Sequence, residues 1–131
     1  MTTNYSSTFI AVAPDSEVRS GIDPKYGTVA ALQLALLREH PYHFTSDDLL
    51  FEAHARRSSI ADGDRAGERD LFFAKPRACL RASPLGKCYG WGMHHDEAGR
   101  VAAYGAETEE YGRLATDAGL NQTRAMRSKR G

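Results

Sequence analysis

The run LGKCYGWGMHHDEAGRVAAYG, residues 85–105, constrains the fold of this chain more than any other stretch. Two strand-like runs flank His95-Asp96-Glu97-Ala98-Gly99, a polar segment with a glycine available for positive φ, so the sequence predicts a β-hairpin. With Asp96 to Gly99 as the loop, His95 faces Arg100, Met93 faces Ala102 and Trp91 faces Tyr104, while Gly92 faces Ala103 on the other side. Period two then places Tyr89, Trp91 and Met93 on one face and Cys88, Gly90, Gly92 and His94 on the other. One face is bulky and the other nearly bare. A bare face admits the close approach of a helix, the commoner outcome, or a shallow ligand groove with the His94 imidazole at one end.

A lone hairpin is marginal in water, so other elements must cover it. Thr8 to Ala13 (TFIAVA) reads as a buried strand closed by Pro14-Asp15, and Asp15 to Gly27 reads as loop. From the N-cap Thr28 the segment VAALQLALLREH is dense in helix formers and is stopped by Pro41. Val29, Leu32, Leu36 and Leu37 spread round most of its circumference, as in a buried helix over residues 28–39. The segment LLFEAHARR suits a helix by propensity, but Leu49, Phe51, Ala53 and Ala55 alternate with Leu50, Glu52, His54 and Arg56, and the alternation predicts a half-buried strand. Asp62 to Lys75 fits a surface helix ended by Pro76. Thr108 opens a third helix, with Glu109 and Glu110 at its positive end and Gly119 as its stop; the ending LNQTRAMRSKRG is a last strand through Met126 or a basic tail. The expected architecture is one α+β domain over residues 1–131. Its antiparallel sheet contains the hairpin of residues 87–105, packed by the 28–39 helix and flanked by two shorter helices.

Charge narrows the partners. Lys+Arg and Asp+Glu each number 17, and a neutral chain has no whole-molecule field with which to attract DNA or an anionic membrane, so nucleic acid is not an expected partner. The N-terminus has no basic, apolar signal pattern, and no apolar run approaches the ~18 residues of a span; the expected location is the cytoplasm, away from a membrane. Cys79 and Cys88 are too few for a disulfide framework and read as reduced thiols, with Cys88 the more reactive if Lys87 or Arg81 lowers its pKa. His94 and His95 are adjacent strand residues that point to opposite faces, so no metal site is expected, and no cofactor motif is present. Nothing in the sequence fixes an oligomeric state.

The candidate site lies beside the hairpin. RASPLGK offers Arg81, Ser83 and Lys87 in a turn-forming stretch, two cations and a hydroxyl of the kind that hold a phosphate or carboxylate. Arg127 belongs to a basic C-terminus with Arg124, Lys129 and Arg130. The candidate ligand contacts are Arg81, Ser83, Lys87, Trp91 and Arg127, and the candidate catalytic residues are His94, as acid or base, and Tyr89. The expected ligand is an anionic small molecule, bound and with turnover an open question. The alternative is a protein partner docked on the aromatic hairpin face and the basic C-terminus.

The stretch RASPLGKCYGWGMHHDEAGRVAAYGAETEEYGRL and the ending RAMRSKR, together with NYSSTFIAVA and HPYHFTSDDLLFE, resemble a family of small, mostly bacterial proteins of unknown function. The resemblance runs the length of the chain and implies one compact domain. It implies no activity. Thr108 stands where that family more often has Ser, and His95 falls outside its pattern.

Overall fold

The structure, a computed structural model, describes residues 2–127. Ser128, Lys129 and Arg130 of the basic C-terminus lie outside the described residues.

Four strands form one sheet in the order β3-β2-β1-β4, with β1 Thr8–Ala11, β2 Trp91–His95, β3 Val101–Gly105 and β4 Asn121–Arg124. β2 runs antiparallel to both β1 and β3, whereas β4 runs parallel to β1, so the sheet is mixed rather than antiparallel throughout. The reason lies in the route of the chain: after β3, at one edge, it passes through helix α5 (Glu109–Ala115) and returns at the opposite edge beside β1. β4 is a short polar edge strand, with no apolar alternation from which its direction could be read.

The hairpin is present, but its register is shifted by one residue from the expected one. Trp91 pairs with Gly105, Gly92 with Tyr104, Met93 with Ala103, His94 with Ala102 and His95 with Val101. Gly99 is the cause. It takes φ +80°; its N–H donates to the Asp96 carbonyl at 3.0 Å, and the Asp96 N–H donates to the Arg100 carbonyl at 2.9 Å. The loop is therefore a three-residue turn with a glycine bulge, one residue out of step with a four-residue loop.

The two sheet faces are filled differently. Ile10, Trp91, Met93 and Val101 point into a core shared with Leu34, Leu36 and Leu37 of helix α1 (Val29–Glu39) and with Leu49 and Ala53 of helix α2 (Ser46–Arg57). α1 begins as expected, with the Thr28 hydroxyl accepting from the Ala31 N–H at 3.2 Å.

Residues 49–57 are helical, not a strand. A capping box joins Thr45 and Asp48, and α2 is buried on two sides: Leu49 and Ala53 enter the core, while the Phe51 ring meets Phe72 of helix α3 (Arg65–Phe73) at 5.9 Å. Burial on two flanks of a helix produces the alternation that resembles a strand.

α3 follows a 3₁₀ turn at Asp62–Asp64, and a further 3₁₀ turn at Leu80–Ala82 leads into the short α4 (Pro84–Lys87), capped by Ser83. Helices beyond α1 thus number four among the described residues, rather than two.

The bare face of the hairpin is occupied from within the chain. A methyl group built on Gly92 would lie 2.5 Å from the Phe9 ring and 2.6 Å from the Tyr111 ring of α5, and one on Gly90 would strike the Ser20 carbonyl. Close approach of a helix and a loop, rather than a groove, is what the alternate glycines permit.

Candidate functional site

The residues expected to form a site spread over several surfaces. His94 lies on the α5 side of the sheet, half-buried, with Nδ1 2.7 Å from the Tyr42 hydroxyl, which is in turn 2.8 Å from the Tyr104 hydroxyl. Tyr42 arrives from outside the sheet: its N–H donates to the Val101 carbonyl at the outer edge of β3, and its φ of +58° is left-handed. Burial lowers the His94 pKa against the opposing pull of Asp96 and Asp117, and burial with the Tyr104 hydrogen bond raises that of Tyr42.

Trp91 lies on the opposite face, 7% exposed, with Nε1–H donating to the Ile22 carbonyl at 2.8 Å and the Arg38 guanidinium 4.7 Å from its ring centroid. It ties the preceding loop to the core. The Nε–H of Arg81 donates to the Arg124 carbonyl at 2.7 Å, and the Arg81 carbonyl accepts from the Met126 N–H at 2.8 Å, so Arg81 fastens the end of β4. Lys87 closes α4, half-buried, and Arg127 is exposed beyond β4.

Two of the expected residues do meet. Ser83 and Tyr89 line one cavity of about 350 Å³ together with Thr28, Ala30 and Gln33 of the α1 start, Leu50 of α2, and Cys79. Arg81, Lys87, Trp91, His94 and Arg127 do not line it. The cavity wall is mostly apolar with a few convergent polar groups, the usual composition of a small-molecule site. The Cys79 thiol is 3.1 Å from the Tyr5 hydroxyl, and burial pushes the Tyr5 pKa up to about 12.

Gln33 is the residue that strand and turn motifs do not reveal. It is 5% exposed, and its Oε1 accepts from the Ser83 hydroxyl at a long 3.4 Å. Ser83 Oγ already accepts from the Leu85 N–H at 3.2 Å, so its own proton needs an acceptor, and the amide oxygen of Gln33 is there to take it. The two amide N–H groups of Gln33 have no acceptor among the described residues, and their nitrogen keeps contact with solvent. A sequence signal exists: glutamine interrupts an otherwise apolar VAALQLALL.

A second cavity, about 330 Å³, contains Asp48, Glu52, Arg65 and Arg69, whose charges are matched within it. Arg65 meets Glu52 at 2.9 Å and Arg69 meets Asp48 at 3.0 Å, and the Arg65 hydrogen bond lowers the Glu52 pKa. Among the described residues no group of three His, Cys, Asp or Glu side chains has a metal-binding arrangement, and no helix is long and apolar enough to cross a membrane.

No curated protein and no solved structure matches the chain. A model of a family described as "Family of unknown function (DUF6157)" matches residues 1–131, and the chain belongs to that family.

Proposed function

We propose that the protein binds a small molecule in the cavity between the first turns of α1 and the Ser83–Tyr89 segment, with the amide N–H groups of Gln33 donating to an acceptor oxygen of the ligand. The observation behind this is Gln33, a largely buried residue whose amide N–H groups have no partner among the described residues and whose amide nitrogen keeps contact with solvent, on the wall of a cavity that also bears the Ser83 hydroxyl and Tyr89. A donor that projects from a largely buried residue into a cavity can pair with a ligand acceptor without rearrangement of the fold. The reading is of binding rather than turnover, because His94 stands on the other face of the sheet and is not among the lining residues. With Trp91 buried, an aromatic docking surface on the hairpin has lost its centre.

Protein-observed NMR with octanamide as the probe tests the proposal. Saturable shifts are expected at Ala30, Gln33, Ser83 and Tyr89, and they should vanish in Ala78→Trp, which places bulk at an exposed lining position of the same cavity. Shifts scattered over the surface, or none at all, would contradict it.

A further inference from the structure

We infer that the ligand is an elongated, unbranched monocarboxylate whose acid group is held by Arg57, a conclusion that rests on the binding site proposed above. A third cavity, about 340 Å³, shares Val29, Gln33 and Leu50 with the first and adds His54, Arg57, Ser58 and Phe72. The two cavities adjoin at these three shared residues, and the Gln33 amide belongs to both.

Helical spacing explains the alignment. Leu50, His54 and Arg57 follow at i, i+4 and i+7 on α2, and Val29 and Gln33 at i, i+4 on α1, so two helical stripes border the third cavity. From Leu50 to Arg57 the helix rises about 10 Å, the reach of a medium-length alkyl chain. Val29, Leu50 and Phe72 make an apolar part of its wall, and Arg57 brings a guanidinium to it.

That cation is unlike its neighbours. Arg56 is paired to Glu52 at 2.9 Å, Arg65 to the same carboxylate at 2.9 Å and Arg69 to Asp48 at 3.0 Å. Arg57, exposed like Arg56, has no ion pair or hydrogen bond from its guanidinium among the described residues and lines the mouth side of the cavity wall with Ser58. A guanidinium receives a carboxylate through two parallel N–H bonds, which suits a terminal acid on an apolar chain. Gln33 lines the same cavity and donates to an acceptor oxygen of the ligand, and the alkyl chain lies along Val29, Leu50 and Phe72.

Calorimetric titration of the whole protein with octanoate and with octanol separates this inference from the binding proposal. Octanoate is expected to bind about ten-fold or more tightly than octanol, and Arg57→Gln should abolish that preference while leaving octanol affinity unchanged. Arg56→Gln, the adjacent exposed arginine, should preserve the preference. Equal affinities in the natural protein, or a preference that survives Arg57→Gln, would overturn the assignment of Arg57 and leave the cavity reading standing. Silence from both probes, and from octanamide, would overturn both.

Discussion

The side-chain oxygen of Gln33 accepts from the Ser83 hydroxyl, and that single bond turns the two amide N–H groups of Gln33 toward space that no protein acceptor fills. On the binding proposal, this amide serves a ligand rather than the fold.

Replacing it should therefore separate stability from binding. Gln33→Leu removes the N–H donors and also the acceptor of the Ser83 hydroxyl while putting an apolar side chain of similar size in the α1 core stripe, so unfolding free energy is expected to change by less than about 1 kcal/mol in urea melts while octanamide binding is lost. Octanamide binding that survives in this variant would contradict the role given to Gln33.

Acid should weaken the fold chiefly through His95. It is 0% exposed, neither ring nitrogen has a hydrogen-bond partner, the Tyr5 ring lies 5.3 Å away, and burial pulls its pKa from 6.5 to about 4. Because the folded value lies below the unfolded one, the unfolded chain binds the extra proton between them. Stability is then full above pH 6.5 and is lost as pH falls toward 4, by about 1.4 kcal/mol per pH unit in mid-window, with His94 adding in the same direction. In His95→Leu the slope between these pH values should be markedly shallower; an unchanged slope would place the acid sensitivity elsewhere.

Gly92→Ala should cost about 1–3 kcal/mol by chemical denaturation, since the new methyl meets the rings of Phe9 and Tyr111, which are themselves packed edge to face at 5.1 Å. An unchanged denaturation midpoint would show that α5 can retreat from the sheet without loss.

The Tyr104, Tyr42 and His94 chain should behave as a unit. Tyr42→Phe and Tyr104→Phe are each expected to cost about 1 kcal/mol, and the double variant less than their sum, because each hydroxyl has the other as a partner. Simple additivity in the double-mutant cycle would deny the coupling.

Local chemistry made much of the fold legible. Thr28 and Pro41 bracketed α1, Thr108 capped α5, and Gly99 marked the hairpin turn. Legibility stopped where one residue has two structural meanings. A glycine in a turn does not declare whether it is a loop position or a bulge, and that one-residue ambiguity moved Trp91 from Tyr104 to Gly105. Alternating burial along Leu49 to Ala55 is what a strand shows and also what a helix wedged between α1 and α3 shows; the Thr45 and Asp48 capping box was the deciding local sign.

The candidate site was harder still to read. Arg81, Lys87 and Arg127 are close in composition but are directed by backbone bonds and helix ends to different surfaces. Gln33 and Arg57 are 24 positions apart and meet only because α1 packs on α2. Ser83 and Tyr89 line one cavity because a turn-forming stretch and an aromatic six residues on stay near one another.

The side-chain amide resonances of Gln33, assigned through their disappearance in Gln33→Leu and followed by ¹⁵N-correlated NMR during titration with octanamide, give the most direct test. A saturable downfield shift of both N–H signals, with the same midpoint as Ser83 and Tyr89, is the predicted result. Signals that stay fixed while octanamide reaches saturation, or that move only with the bulk of the surface amides, would contradict the Gln33 cavity as the binding site.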